Sequence, residues 1–374
     1  MSDYRIGVIT MTISKSGLIP LTDLITILCS FSKNIVLMTG DEGYNFFRED
    51  KRLDTFNVLH TISPFLIARI WNYVLFQVKM SVLIFKSRQK IDFLIFFMGG
   101  DILLLPIVTA HLFRKKVFIM LAGDPIKSHI SSKDPLIFGI KFLNFFSCTF
   151  ADKIIVYADR VISDYALEQW TGKIVTARQH LIDLTSFKIK KEYLSRECIV
   201  GYVGRFNEEK GILHLVQAVP DIVIKNPEVK FLFIGLGPLQ NTIEQFIVKN
   251  NLTDTINLTG WVSHDILADY LNTMKLLVIP SDTEGLPNVM VEAMACGTPV
   301  LATSVGVIPT FIKTGETGFI LENNSPPCIA SNIIKLLADE KTAEVIENAH
   351  RLIQNEFQFE KRVEEFKFIF DNAT

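Results

Sequence analysis

With 374 residues the chain exceeds what one hydrophobic core ordinarily supports, so two domains of common size are expected. A hydrophobic content of 49% against 21% charged residues excludes a disordered chain, and the mean hydropathy of +0.30 is high for a freely soluble enzyme. The net charge is only −2, but residues 1–190 hold 23 Lys and Arg against 16 Asp and Glu, and the remainder holds 15 against 24.

That asymmetry points the N-terminal half at something anionic, a membrane surface or a lipid phosphate, and no nucleic-acid partner is expected. Cys29, Cys148, Cys198, Cys296 and Cys328 are scattered without the paired spacing of a disulfide framework or a zinc site. The first ten residues run straight into a strand pattern and lack the order of regions that marks a secretory signal. The expected location is therefore the cytoplasm, with peripheral contact at the inner face of the cell membrane as the further expectation.

In chain order, short β-branched or aromatic runs occur at 4–10, 34–39, 91–97, 116–121 and 153–158, and longer helical patterns separate them. The apolar run at 65–85 approaches membrane-spanning length, but Arg69, Asn72, Gln77 and Lys79 argue against a transmembrane helix. Two readings of it stay open. It is a long core helix with a solvated basic end, or an amphipathic helix lying on a membrane with Arg69, Lys79, Lys86, Arg88 and Lys90 at anionic headgroups. The strand alternation restarts at 198–204 and continues at 229–235, 255–260, 275–281 and 298–303. Near-continuous apolar strands of this kind suit parallel sheets covered on both faces, so two doubly wound α/β domains are predicted. The two domains join near 184–197, where the charged stretch 187–197 interrupts the pattern. After Glu340 the pattern is helical, and 360–370 is strongly amphipathic.

Three segments of the second half carry candidate chemistry. In 201–211 a strand ends at Gly204, and Arg205 and Lys210 precede a helix expected from Gly211. Two cations beside a helix N-terminus form a diphosphate site; the alternative is a pair of surface cations bound to Glu208 and Glu209. In 232–239, Gly235 and Gly237 form a turn before Pro238, which is expected to open a helix; close approach to a ligand and a plain tight turn explain the glycines equally well. Gln240 stands where a dinucleotide fingerprint needs its third glycine, so the signal for NAD is weak. In 281–306, Glu284 and Gly285 sit in a loop, Pro287 lies at or just before the helix start, and Glu292 falls inside an otherwise apolar helix that ends at Gly297. An acid in such a helix needs a partner, and ribose hydroxyls would supply one.

Taken together, residues 198–370 resemble the family 4 retaining glycosyltransferases, the GT-B type of glycosyl transferases group 1. The resemblance rests on Gly204-Arg205 with Lys210-Gly211, the Gly235–Pro238 turn, Gly260-Trp261-Val262, Glu284 and Glu292, Gly297-Thr298-Pro299-Val300, Gly315 and Thr317-Gly318. It implies two Rossmann-like domains facing across a cleft, with 1–190 binding the acceptor, 191–357 binding the donor, and a C-terminal helix at 358–374 crossing back to the first domain. It further implies that Arg205 and Lys210 bind the donor diphosphate and that Glu284 contacts the donor sugar near the reacting carbon. Glu292 would hold the ribose, with Gly204, Gly235, Gly237, Gly285, Leu286 and Pro287 completing the donor site.

The chain departs from the family pattern at Gly306-Val307-Ile308-Pro309-Thr310, where a second glycine and a later glutamate are usual. In the N-terminal half only Gly17 remains of a paired-glycine loop, and Asp124 stands where relatives carry a histidine, making these two the candidates on the acceptor or sugar side.

The expected reaction transfers a hexose-type residue from a nucleoside diphosphate sugar to a hydroxyl of a glycan or lipid-linked acceptor, with retention implied by the resemblance. Arg205 and Lys210 would stabilise the leaving diphosphate as fixed charges, so no metal or other cofactor is expected. The rival readings are a nucleotide-sugar epimerase or hydrolase on the same fold, and an inactive sugar-nucleotide-binding subunit.

Overall fold

The computed structural model describes residues 4–61, 63–121, 126, 134–339 and 342–373. They divide into two compact units, Met1–Leu181 with Phe359–Thr374, and Ile182–Gln358. The expected boundary at 190 falls too late. Lys190 N donates to Asn272 Oδ1 at 2.7 Å and Asn272 Nδ2 donates to Lys188 O at 3.0 Å, so the backbone of the charged stretch is already fastened to the second unit. A run of lysines reports solvent exposure of side chains, and here it says nothing about where the backbone is held.

The first unit is built from β1 (Arg5–Ile13), α1 (Leu18–Cys29), β2 (Asn34–Asp41), α2 (Glu42–Phe47), β3 (Leu53–Asn57), α3 (Leu66–Ser87), β4 (Phe93–Phe97), α4 (Leu104–Leu112), β5 (Lys116–Met120), α5 (Ile137–Phe150), β6 (Lys153–Val156), α6 (Arg160–Asp164) and β7 (Ile174–Thr176). The chain's last helix, Phe359–Asp371, completes it. The strands form one parallel sheet in the order β3-β2-β1-β4-β5-β6-β7. All five residues of β4 are buried, as a central strand covered on both faces requires. The edge strands β3 and β7 were not anticipated. β3 carries Asp54 and Asn57 and is half exposed, so it lacks the continuous apolar run by which the inner strands are recognised.

The last helix enters this core through Phe366, Ile369 and Phe370. The Phe370 ring lies 5.0–5.6 Å, centroid to centroid, from Tyr4, Phe31, Phe93 and Phe118. Earlier on the same helix, fully buried Arg362 pairs with Glu365 at 2.8 Å. Of the two readings of 65–85, the core helix holds for one face alone. Phe76, Met80 and Ile84 are buried, but the opposite face of α3 is exposed and equally apolar.

The second unit contains β8 (Ile199–Val203), α7 (Ile212–Lys225), β9 (Lys230–Ile234), α8 (Gln240–Lys249), β10 (Ile256–Gly260), α9 (His264–Thr273), β11 (Leu276–Ile279), α10 (Asn288–Ala295), β12 (Val300–Thr303), α11 (Ile308–Phe311), β13 (Phe319–Leu321), α12 (Pro326–Leu337) and α13 (Thr342–Glu356). Its parallel sheet has the order β10-β9-β8-β11-β12-β13. The chain starts mid-sheet at β8, runs outward to β10, and returns to lay β11 on the other side of β8. Strand order reverses between β8 and β11, and in open α/β sheets ligands bind beyond the strand C-termini at such a point. Pro238 does not open a helix. Leu239 N donates to Phe206 O at 3.0 Å, which prolongs the turn, and α8 begins at Gln240.

Candidate functional site

The loops after β8 and β9 are built against each other. Phe206 is fully buried and its N–H donates to Leu236 O at 3.0 Å, while Gly204 N–H donates to Ile234 O at 3.0 Å. Gly235 has φ +145°, and a Cβ there would lie 1.9 Å from Gly204 O; a Cβ on Gly237 would lie 2.4 Å from Phe206 O. Both glycines are therefore demanded by backbone packing between the two loops.

The short turn Glu208–Lys210 ends at Gly211, whose φ is +65° and whose missing Cβ would fall 2.0 Å from Pro280 O at the end of β11. This close fit brings the β8 loop onto the β11 loop. Asp282 N donates to Glu209 O at 2.9 Å, and Lys210 Nζ lies 2.8 Å from Glu284 Oε2. The Glu284 side chain is only 9% exposed, and Ser281 Oγ donates to its other oxygen at 2.7 Å. Lys210 and Glu284 thus meet at the switch point between β8 and β11.

The β12 loop holds Glu284 from behind. Gly306 has φ +53°, its absent Cβ would lie 2.0 Å from Glu284 O, and Val307 N donates to Gly285 O at 3.3 Å. Val307 is fully buried, so the position at which the resemblance expects a second glycine is filled by a core side chain. Leu286 is buried as well. Gly306→Ala combines a left-handed backbone with a collision against a carbonyl, and should cost more than the roughly 1–2 kcal/mol of the backbone strain alone. A denaturant midpoint equal to that of the native protein would contradict this packing account.

Arg205 stands on the same loop as Lys210 but is not drawn into the pair. Its Nη2 lies 3.0 Å from Glu209 Oε1, and the side chain is mostly exposed. This is the surface ion pair considered as the alternative reading, and such pairs contribute only about 0–1 kcal/mol. A phosphate could displace Glu209 at little cost. Tyr202 supports the loop from below by donating its hydroxyl to Arg205 O at 2.8 Å, and burial pushes that phenol up from its ordinary range.

Helix α10 follows Pro287, whose ψ of 115° places it just outside the helix. From Met290 to Ala295 every residue is buried, including Glu292. The in-chain partner of Glu292 is His264, at the start of α9: His264 Nε2 and Glu292 Oε1 are 2.8 Å apart. Sequence reading assigned this carboxylate to ribose hydroxyls and missed the histidine, because 28 residues separate the two and no local spacing links them. The signal available was the apolar helix itself, which required some partner for its acid. His264→Ala should leave Glu292 short of a hydrogen bond and destabilise the second unit by about 1–3 kcal/mol. An unchanged unfolding midpoint would show that the pair contributes nothing.

Burial pushes the Cys296 thiol, at the end of α10, up to about 12, which removes it as a nucleophile. In the first unit, Gly17 closes the turn after β1 with φ −83°, and a Cβ there would meet Met98 Cε at 2.9 Å. Met98 Cε is the free end of a flexible side chain, so this contact alone does not demand a glycine at 17. Asp124 lies outside the described residues.

Residues 185–356 match the family described as Glycosyl transferases group 1. The chain is 35% identical over 197 residues to the capsular polysaccharide biosynthesis glycosyltransferase CapM of Staphylococcus aureus, covering 50% of each chain. It is 32% identical over 186 residues to N-acetyl-alpha-D-glucosaminyl L-malate synthase of Bacillus anthracis, covering 49% of this chain and 48% of that one. The matches span about half the length of these curated relatives. Among solved structures, Anabaena HepE in complex with UDP and glucose superposes with a TM-score of 0.78 at 17% identity, covering 98% of this chain and 99% of that one. This likeness concerns the fold. The sheet order, the loops meeting at the switch point and the family match over 185–356 converge: the chain is a protein of the GT-B fold whose second unit matches the family described as Glycosyl transferases group 1.

Proposed function

We propose that this protein is a retaining glycosyltransferase that moves a hexose-type residue from a nucleoside diphosphate sugar to a hydroxyl acceptor in the synthesis of a cell-surface glycan or glycolipid. The observation that carries the reading is the Lys210–Glu284 pair at the strand-order reversal of the second sheet. A cation and a carboxylate held 2.8 Å apart at that point can address the two ends of the bond that breaks. Lys210, with Arg205 released from Glu209, faces the diphosphate; Glu284 faces the sugar.

In the reaction the bond between the anomeric carbon and the diphosphate oxygen breaks, and its electron pair leaves with the diphosphate. The acceptor oxygen bonds to the anomeric carbon from the same face, and its proton passes to a phosphate oxygen. Negative charge grows on the leaving group, so preorganised cations stabilise the transition state more than the ground state. Glu292, oriented by His264, takes the ribose hydroxyls.

The test is a thermal-shift screen of nucleoside diphosphate sugars, with uridine diphosphate sugars first because HepE was solved with UDP. A ligand at a hundred times its dissociation constant should stabilise by roughly 2.7 kcal/mol. Each hit is then incubated with hydroxyl acceptors, and the anomeric configuration of the product is read by NMR. Free sugar released as fast as transfer would favour a hydrolase, and epimerised donor an epimerase. Stabilisation by none of the donors would remove the reading.

A further inference from the structure

In a doubly wound domain the helices covering a sheet bury one face and show water the other. The first unit breaks this rule on one side. Strands β3, β4, β5 and β6 progress in one direction across the sheet, so right-handed crossovers put α3, α4 and α5 on the same face, and α4 packs between the other two. Among the described residues, more than half of the large hydrophobic side chains exposed to solvent lie on these three helices. On α3 the exposed set Ile67, Trp71, Val74, Val78, Val82 and Phe85 recurs every three or four residues, a second apolar stripe opposite the buried one. Leu112 at the end of α4 is 75% exposed, and Phe138 on α5 is 82% exposed. Soluble monomers rarely leave so large a continuous apolar surface uncovered.

Charge identifies what covers it. Helices α3, α4 and α5 contain no Asp or Glu, whereas they carry Arg69, Lys79, Lys86 and Lys141. Arg69 is engaged with Asp134. Lys79, Lys86 and Lys141 are exposed, and at the end of α3 the Arg88 guanidinium sits 4.2 Å over the Phe85 ring. A second copy of this face would oppose lysines to lysines with no carboxylate on either side. A spanning α3 would strip Phe76, Met80 and Ile84 from the core. An apolar plane set with cations and free of anions instead matches the acyl boundary and headgroups of an anionic bilayer.

We propose that the outer face of α3, α4 and α5 is a monotopic membrane-binding surface that lies on an anionic phospholipid bilayer. All three helices take part, and the surface is independent of the donor chemistry of the second unit. Trp71 enters the acyl boundary, whereas Trp170 is buried in the first unit and Trp261 belongs to the second.

The purified full chain is co-sedimented with vesicles of phosphatidylcholine alone and of phosphatidylcholine mixed with phosphatidylglycerol, at low and high salt. Binding to the mixed vesicles, partial release by salt, and quenching of tryptophan emission by brominated lipid are expected, with the quenching lost in Trp71→Phe. The double variants Ile67→Ser/Val78→Ser on α3 and Phe138→Ser/Phe142→Ser on α5 should each lower partitioning roughly tenfold or more while unfolding at the native midpoint. Recovery in the supernatant with both vesicle types overturns the proposal. So does equal binding to both lipids, or unchanged binding of the α5 variant. A lipid-free dimer in sedimentation velocity that the same substitutions dissociate would assign the face to a second copy.

Discussion

Lys210→Ala is expected to lower turnover by roughly a hundredfold or more, the scale for losing one preorganised group that stabilises developing charge. Two physical effects could produce such a loss. Lys210 neutralises Glu284, whose side chain is 9% exposed, and in the proposed reaction it also faces the departing diphosphate. The double variant Lys210→Ala/Glu284→Gln separates them. If Lys210 serves only to hold Glu284, removing the carboxylate's charge should recover stability and most of the activity left by Glu284→Gln alone. If it stabilises the leaving group, the double variant stays slow although its unfolding midpoint returns toward native. Arg205→Ala should have a smaller structural effect, since its pair with Glu209 is exposed. Steady-state kinetics beside urea unfolding decide the matter. Near-native turnover in Lys210→Ala would remove Lys210 from the mechanism.

Phe370→Ala is expected to destabilise the first unit by about 3–5 kcal/mol, the usual cost of truncating a fully buried aromatic side chain. Phe370 is unexposed and meets Tyr4 from β1's approach, Phe31 after α1, Phe93 on β4 and Phe118 on β5. The rings it touches come from elements spread over more than a hundred residues, so the last helix ties the N-terminal sheet together from the far end of the chain. Because the chain has two units, unfolding is followed with separate probes: Trp170 for the first and Trp261 for the second, each in a background with the other tryptophans replaced by phenylalanine. The first transition should move to lower urea and the second should stay. A first transition that does not move would mean that the helix docks without contributing to stability.

Much of this molecule was determined locally. Inner strands of parallel sheets are buried on both faces, so they announce themselves as continuous apolar runs, and all ten predicted runs overlap strands in the structure. The position of Pro287 before α10 and the left-handed Gly297 after it follow from backbone preferences that act within a few residues. Glu284 and Lys210 were legible as candidates because each lies in a loop directly after a strand. What the tertiary structure alone decided are relations between distant loops. Edge strands β3 and β7 form because a neighbouring strand offers hydrogen bonds, which no local pattern records. Gly211, Gly235 and Gly306 are required by carbonyls of Pro280, Gly204 and Glu284 that approach from elsewhere in the fold. The pairing of Glu292 with His264 depends on two helices meeting after different strands. Residues 65–85 look like core or membrane surface in sequence because both environments demand apolar side chains. Only the packing of α3 on the sheet divides its residues between an inner stripe and an outer one.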